Sequence, residues 1–194
     1  MQAIVSLHNR IFGALETHVA PFLIPTLARF LFAAILLFYY WNSGMTKLGD
    51  GFFGFLSPGF GAYGQIIPRV FEASGYDLSQ IGLFPRLIVL FGTWAEFIFP
   101  LLILIGLFTR LSALAMVGFV AVQSYVDIVG HNLAAEDIGA WFDRIPDAII
   151  LDQRAFWIFL LTIIVLKGAG PISVDALLGR RQSNASLDAA PQPR

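Results

Sequence analysis

Residues 84–130 decide the fold: FPRLIVLFGTWAEFIFPLLILIGLFTRLSALAMVGFVAVQSYVDIVG. This stretch contains two apolar runs, Phe84–Leu107 and Leu111–Gly130, which are separated only by residues 108–110. A bilayer core of about 30 Å needs roughly 20 mostly apolar residues in a helix, so each run is long enough to cross a membrane. The short connection therefore predicts a tight antiparallel hairpin of two transmembrane helices.

Two further apolar runs flank this hairpin, Pro21–Trp41 before it and Asp152–Lys167 after it. The last run is short, but Gly-Ala-Gly-Pro follows Lys167 and is typical of a sharp helix end. Together the four runs predict an all-α protein, an integral membrane four-helix bundle. The fold class follows from length and hydropathy alone.

The composition indicates that lipid surrounds most of this chain. Hydrophobic residues make up 57% and charged residues 13% of its 194 residues, and the mean hydropathy is +0.75. A soluble domain has roughly 45–50% apolar and about 25% charged residues, so membrane lipid is the predicted partner. The net charge of −1 argues against nucleic acid, and the lack of cysteine excludes iron–sulfur clusters and thiolate metal sites.

The chain divides into three predicted parts. Residues 1–19 place Ile4, Leu7, Ile11 and Leu15 at helical spacing, which predicts an amphipathic helix lying in the membrane interface. A helix packed on the end of the bundle explains the same pattern. Residues 20–178 form the four-helix domain, and the polar residues 179–194 form a disordered tail.

Four spans place both termini on the same side of the membrane. Positive residues favour the cytoplasmic side, and the side with the termini holds six bases against five on the other. The six are Arg10, Arg110, Lys167, Arg180, Arg181 and Arg194. We therefore predict that both termini are cytoplasmic.

Two charged residues lie inside the apolar runs, Arg29 in the first and Glu96 in the second. A charge within a membrane helix costs at least ~2.5–3.5 kcal/mol on insertion scales, so such residues usually pair or line a cavity. Their similar estimated depths predict a direct Arg29–Glu96 pair. Such a pair either lines a pocket for a quinone head group or a proton, or only locks two helices in register.

Gln123, Asp127 and His131 are spaced by four and share one face of the third span. Lys47, just beyond the first span, is expected to approach Asp127 at the same surface. A metal site would need further ligands, so a hydrogen-bonded cluster is the prediction, with no metal. The spans contain no pair of histidines for a bis-histidine haem.

Read in order, several short motifs resemble those of the DoxX family of small four-helix membrane proteins. The motifs are Ala28-Arg29-Phe30, the exit segment 42–48, Ala95-Glu96-Phe97, segment 104–111 and the ending 167–175. The resemblance covers about residues 25–178. The positions that match the family pattern are Arg29, Gly44, Lys47, Glu96, Gly106, Arg110, Gly170, Ser173 and Asp175.

The resemblance implies a bacterial inner-membrane protein and a membrane subunit of an oxidoreductase system. It implies a quinone or lipid-like ligand held between helices, and a partner protein that supplies the redox chemistry. The candidate pocket residues are Arg29, Lys47, Glu96, Arg110, Gln123, Asp127 and His131. Two alternatives stay open, a small transporter or permeation subunit and a non-enzymatic scaffold for partner proteins. The sequence leaves catalysis, partner identity and homo-oligomerisation open.

Overall fold

Four long helices dominate the computed structural model, which describes residues 1–180. They are α1 (Gln2–Met45), α2 (Leu83–Ile105), α3 (Thr109–Gly130) and α4 (Ile149–Lys167). Each is long and apolar enough to cross a membrane, and residues 1–180 contain no strand. The predicted helical membrane bundle is confirmed, and the chain is a multi-pass membrane protein.

The bundle core is apolar and draws on all four helices. Large side chains that are almost fully buried meet at its centre, namely Phe32, Leu36, Tyr40, Ile103, Met116, Val120, Leu161 and Ile164. Equally large apolar side chains, such as Phe38, Leu114 and Phe159, are more than half exposed on the outside. Apolar residues on both faces of a helix indicate that hydrocarbon covers the outer face.

A glycine makes the sharp turn between α2 and α3. Gly106 has φ +73° and the N–H of Leu107 donates to the carbonyl of Leu102 at 3.0 Å. Such a left-handed residue after the last helical turn is a common way to end a helix. The turn therefore lies at residues 106–108, slightly before the predicted 108–110, and α3 already begins at Thr109.

The segment between α1 and α2 folds into a small cap beside α2. Two short helices, Phe60–Ile66 and Pro68–Ala73, bury Tyr63 and Phe71 against Val89 of α2. This packing holds Gln65 and Ile66 close to the first half of α2. The cap matters for function because these two side chains border the cavity described below. As labels for the two ends of the bundle only, the end with Leu83 is called the outer end and the end with Gly106 the inner end.

Residues 2–19 are helical and form the first part of α1 without a break. All of them are exposed, so the alternative of packing on the end of the bundle is wrong. At about 1.5 Å per residue, this segment extends roughly 28 Å beyond residue 20. Its place in the membrane interface stays a prediction.

The chain after α4 returns to the inner end of the bundle. The Ser173 hydroxyl accepts from the N–H of Ala176 at 3.1 Å, which caps the short helix of residues 174–180. Residues 179 and 180 therefore continue a helix. The rest of the predicted disordered tail, residues 181–194, lies outside the described residues.

Candidate functional site

A buried ion pair joins α2 to the chain just after α1, and its members are Lys47 and Glu96. The Lys47 ammonium lies 3.0 Å from both carboxylate oxygens of Glu96. It also donates to the Ser43 hydroxyl at 2.7 Å and to the Ser43 carbonyl at 3.1 Å. The two side chains are only 4% and 7% exposed. Glu96 is therefore neutralised inside the bundle, as a membrane helix requires.

The predicted Arg29–Glu96 pair is wrong, because Arg29 binds backbone carbonyls at the other end of the bundle. Its guanidinium donates to Ile103 and Leu104 at the end of α2, at 3.0 and 2.5 Å. It also donates to Ala169 and Ile172, at 2.8 and 2.6 Å. The last carbonyls of a helix have no partner within the helix, and Arg29 supplies one. Arg29 therefore fastens α1 to α2 and to the chain after α4.

A second ion pair joins α3 to α4, and its arginine is buried whereas its carboxylate is partly exposed. Arg154 Nη2 donates to Asp127 Oδ2 at 2.5 Å, and Nη1 donates to the Ser124 hydroxyl at 3.0 Å. Arg154, and not Lys47, therefore pairs with the Asp127 carboxylate, although Lys47 and Asp127 border the same cavity. Arg154 is 3% exposed and lies 6.0 Å from the Trp157 ring centre. Its Nε is buried without a hydrogen-bond partner among residues 1–180.

Gln123 joins α3 to the aromatic end of α1. Its amide oxygen accepts from the Tyr40 hydroxyl at 3.3 Å, and its amide nitrogen donates to the Tyr39 hydroxyl at 3.1 Å. Tyr40 is fully buried and its ring packs against Phe119 and Trp157. The Tyr–Gln contacts therefore fix the direction in which the Gln123 amide points.

A cavity of about 710 Å³ lies between α2 and α3, and we call it the α2–α3 groove. Its walls are apolar and include Leu87, Phe91, Phe99, Phe119 and Val122. Phe91 and Val122 are 56% and 62% exposed, so the groove opens on the lipid-facing side of the bundle. Volumes of roughly 300–1,000 Å³ are typical of sites for small molecules.

The polar lining of the groove comes from Ser43, Lys47, Gln65, Glu96, Gln123, Asp127 and His131. Five of the seven residues predicted for a ligand pocket therefore lie together around one cavity. The other two do not border it. Arg29 binds the four backbone carbonyls described above. Arg110 borders a shallow hollow together with Lys167, at the end of the bundle opposite to the polar lining of the groove. That the five bind a ligand stays a prediction.

The DoxX family model matches residues 24–126, a little more than half of the chain. The chain belongs to the DoxX family. No curated protein and no solved structure matches it. The matched range contains α1 from Ile24 to its end, all of α2, and α3 as far as Val126.

Within this DoxX protein, the inner end is held together by motif residues. Asp175 accepts from the N–H groups of Phe108 and Thr109, both at 2.9 Å, and from the Thr109 hydroxyl at 2.8 Å. Burial raises the pKa of Asp175, but these hydrogen bonds and the nearby Arg29 charge outweigh it, so the pKa lies below its usual value. Asp175 therefore caps α3 as a carboxylate.

Two motif glycines allow the helices of the DoxX bundle to approach closely. A Cβ at Gly44 would lie 2.6 Å from the Phe97 ring, so any larger residue would displace that ring where α1 meets α2. A Cβ at Gly106 would lie 2.5 Å from that of Ser173 and 3.0 Å from the Arg29 guanidinium carbon. These motif positions therefore serve packing, whereas Lys47 and Glu96 also border the groove.

Sequence reasoning missed Arg154 as a site residue. It lies at the outer start of the last span, as Asp127 lies at the outer end of the third. A search of the other spans for a basic residue at the same membrane depth as each acidic residue would have found it. Among residues 1–180, no three His, Cys, Asp or Glu side chains are grouped in a way that could hold a metal ion.

Proposed function

We propose that this protein is a membrane subunit of an oxidoreductase system that binds a quinone-class lipid in the α2–α3 groove. The observation that carries the proposal is the groove itself, which is apolar along its walls and polar at its outer end. A quinone has the same division, with a polar ring and an apolar tail. The family resemblance described from the sequence points to the same class of ligand.

The groove opens toward lipid, so the ligand enters sideways from the bilayer and not from water. Its tail lies along Phe91 and Val122, where the wall is exposed. Its ring lies beside the buried carboxylate of Glu96, and an amide hydrogen of Gln123 can donate to a ring oxygen. These groups hold the ring at a fixed place on the outer half of the bundle, within reach of a partner protein.

The partner supplies or receives the electrons. The chain has no cysteine that could ligate an iron–sulfur cluster. The contribution of this chain is therefore to bind and orient the ligand, as proteins generally do for molecules that carry redox chemistry themselves. In this proposal the protein lies in a bacterial inner membrane with both termini in the cytoplasm.

Filling the groove tests the proposal without touching a charged residue. Gly118 borders the groove, and a Cβ built there meets nothing within 4 Å. Gly118→Leu should therefore occupy ligand space without straining the bundle. Gly13→Leu is the matched control, since Gly13 is also helical and also has open space around it, but lies outside the groove.

The measurement is the melting temperature of each purified variant with and without decylubiquinone, together with extraction of bound quinone. A ligand that binds only the folded protein raises its apparent stability. We expect a rise of a few degrees for the wild type and Gly13→Leu, and little or none for Gly118→Leu. An unchanged wild-type melting temperature, with no quinone in the extract, would contradict the proposal.

A further inference from the structure

The only cation that borders the α2–α3 groove in the described chain, Lys47, has no hydrogen left for a ligand. An ammonium group has three donor hydrogens. Those of Lys47 are directed at the Ser43 carbonyl, the Ser43 hydroxyl and the Glu96 carboxylate. For a ligand in the groove, the positive charge of Lys47 is therefore already balanced by the negative charge of Glu96.

Two carboxylates at the same end keep unused acceptor positions. A carboxylate offers about four lone-pair sites. Glu96 Oε2 accepts from Lys47, whose ammonium also lies 3.0 Å from Oε1, and the Ser43 hydroxyl gives this carboxylate a further hydrogen bond. Asp127 uses Oδ2 for Arg154. Asp127 Oδ1 has no hydrogen-bond partner among the described residues. Both carboxylates border the groove and can accept further hydrogen bonds from a ligand.

His131 adds a further acceptor at the mouth of the groove. Its Nε2 lies 3.2 Å from the carbonyl oxygen of Gln65. Because a carbonyl can only accept, this contact requires a proton on Nε2, and in the singly protonated ring Nδ1 is left as an acceptor. The donors that remain at this end are neutral, namely one amide hydrogen each of Gln65 and Gln123, whose other amide hydrogens go to Thr46 and Tyr39.

We infer that the groove selects the reduced, dihydroxy form of the ligand, a quinol, over the quinone. This inference rests on the proposed function. Quinone oxygens only accept hydrogen bonds, so they would face two carboxylates that also only accept. Quinol hydroxyls donate, and hydrogen bonds to a charged acceptor are roughly twice as strong as neutral ones. A phosphate head group would meet the same carboxylates without a free cation.

Separate titrations of decylubiquinol and decylubiquinone test the preference. The protein is placed in phosphatidylcholine nanodiscs, whose head group has no hydrogen-bond donor, and binding is measured anaerobically by calorimetry. We expect the quinol to bind about tenfold more tightly, the order of one charge-assisted hydrogen bond. A tenfold preference raises the midpoint potential of the bound two-electron couple by about 30 mV.

His131→Phe isolates one of the acceptors without leaving a buried charge unpaired, because His131 is exposed. Loss of a neutral hydrogen bond should weaken quinol binding by about two- to tenfold and leave quinone binding unchanged. His18→Phe makes the same substitution on the exposed N-terminal segment and should change neither affinity. Equal losses for both ligand forms in His131→Phe would contradict a role as an acceptor.

The outcomes separate this inference from the proposed function. Tighter binding of the quinol supports both. Binding of the two forms with equal affinity, or tighter binding of the quinone, overturns the inference and leaves the proposed function standing. Binding of neither form overturns both.

Discussion

The Lys47 ammonium is almost completely withdrawn from water, because Lys47 is only 3% exposed and all of its donors bind protein groups. Removing one member of a buried ion pair leaves the other charge unpaired, which typically costs about 3–5 kcal/mol. We predict that Lys47→Met and Glu96→Gln each lower the melting temperature in detergent. The double variant should recover much of the loss, because it leaves no buried charge.

A double-mutant cycle of melting temperatures checks this prediction. Arg110→Met is the control, since Arg110 is an exposed base at the other end of the bundle, and it should change stability little. Additive losses in the double variant would mean that the two groups do not stabilise each other.

Asp175 gives the protein a specific sensitivity to acid. Its pKa is lowered in the folded protein by the hydrogen bonds from Thr109 and Phe108 and by Arg29, against the opposing effect of burial. A depressed folded pKa contributes stability that is fully present above the unfolded value of about 3.9. That stability is lost as the pH falls from the unfolded value through the folded one.

We therefore predict that Asp175→Asn lowers the melting temperature near neutral pH, and that the difference from wild type shrinks as the pH falls below about 4. Thermal unfolding across that range measures it. Asp50→Asn, at an exposed loop carboxylate, should follow the wild-type curve. A difference that stays constant down to acid pH would show that the Asp175 charge is not what stabilises the turn.

At the scale of elements, the turn between α2 and α3 depends on the missing side chain of Gly106. Its φ of +73° is unfavourable for any residue with a Cβ, by about 1–2 kcal/mol. A Cβ there would also meet Ser173 and Arg29. Gly106→Ala should therefore lower the melting temperature clearly. Gly118→Ala, in an open position on α3, should have no cost, and equal effects of the two changes would contradict this account.

The sequence was sufficient to predict the helices, but not how far each helix is shifted along the bundle axis relative to its neighbours. Apolar runs of about 20 residues identify spans because hydrocarbon thickness sets their length. The Arg29–Glu96 prediction assumed that neighbouring spans begin and end at the same depth. In the structure, α2 extends 13 residues outward from Glu96 to Leu83, so Glu96 lies near the end of α1 and meets Lys47. The carbonyls that Arg29 binds are backbone groups, which no residue type reveals.

Candidate pocket residues were easier to predict where one helix carries them. Gln123, Asp127 and His131 share a face because their spacing is four, and all three border the groove. Arg154 was missed because its partner lies on another helix, and spacing along a chain says nothing about contacts between helices. The cap residue Gln65 was missed for the same reason.

For the whole molecule, the orientation in the membrane can be tested directly, because the chain has no cysteine of its own. We predict that Ser6→Cys, on the exposed N-terminal helix, is cytoplasmic, and that Arg144→Cys, in the exposed 131–148 loop, is external. A membrane-impermeant maleimide added to intact spheroplasts should label only Arg144→Cys. Labelling of Ser6→Cys alone would reverse the orientation that the six bases favour.

The distribution of polar groups in the described part of the bundle favours ligand binding over transport. The two ion pairs lie in the outer half and the Arg29 and Asp175 contacts at the inner end. Between them the core is filled by side chains that are at most 1% exposed, including Phe32, Leu36, Ile103 and Leu161. A packed apolar layer offers no polar route for an ion.

We therefore predict that proteoliposomes containing the protein and an internal pH-sensitive dye equilibrate an imposed proton gradient no faster than protein-free liposomes. The uncoupler added at the end of each trace confirms that the dye responds. Flux in the wild type that Glu96→Gln abolishes, with the fold intact by melting, would favour the transporter alternative over the quinone-binding proposal. In that case Glu96 would have to exchange its proton with both sides, and the packed layer would have to open.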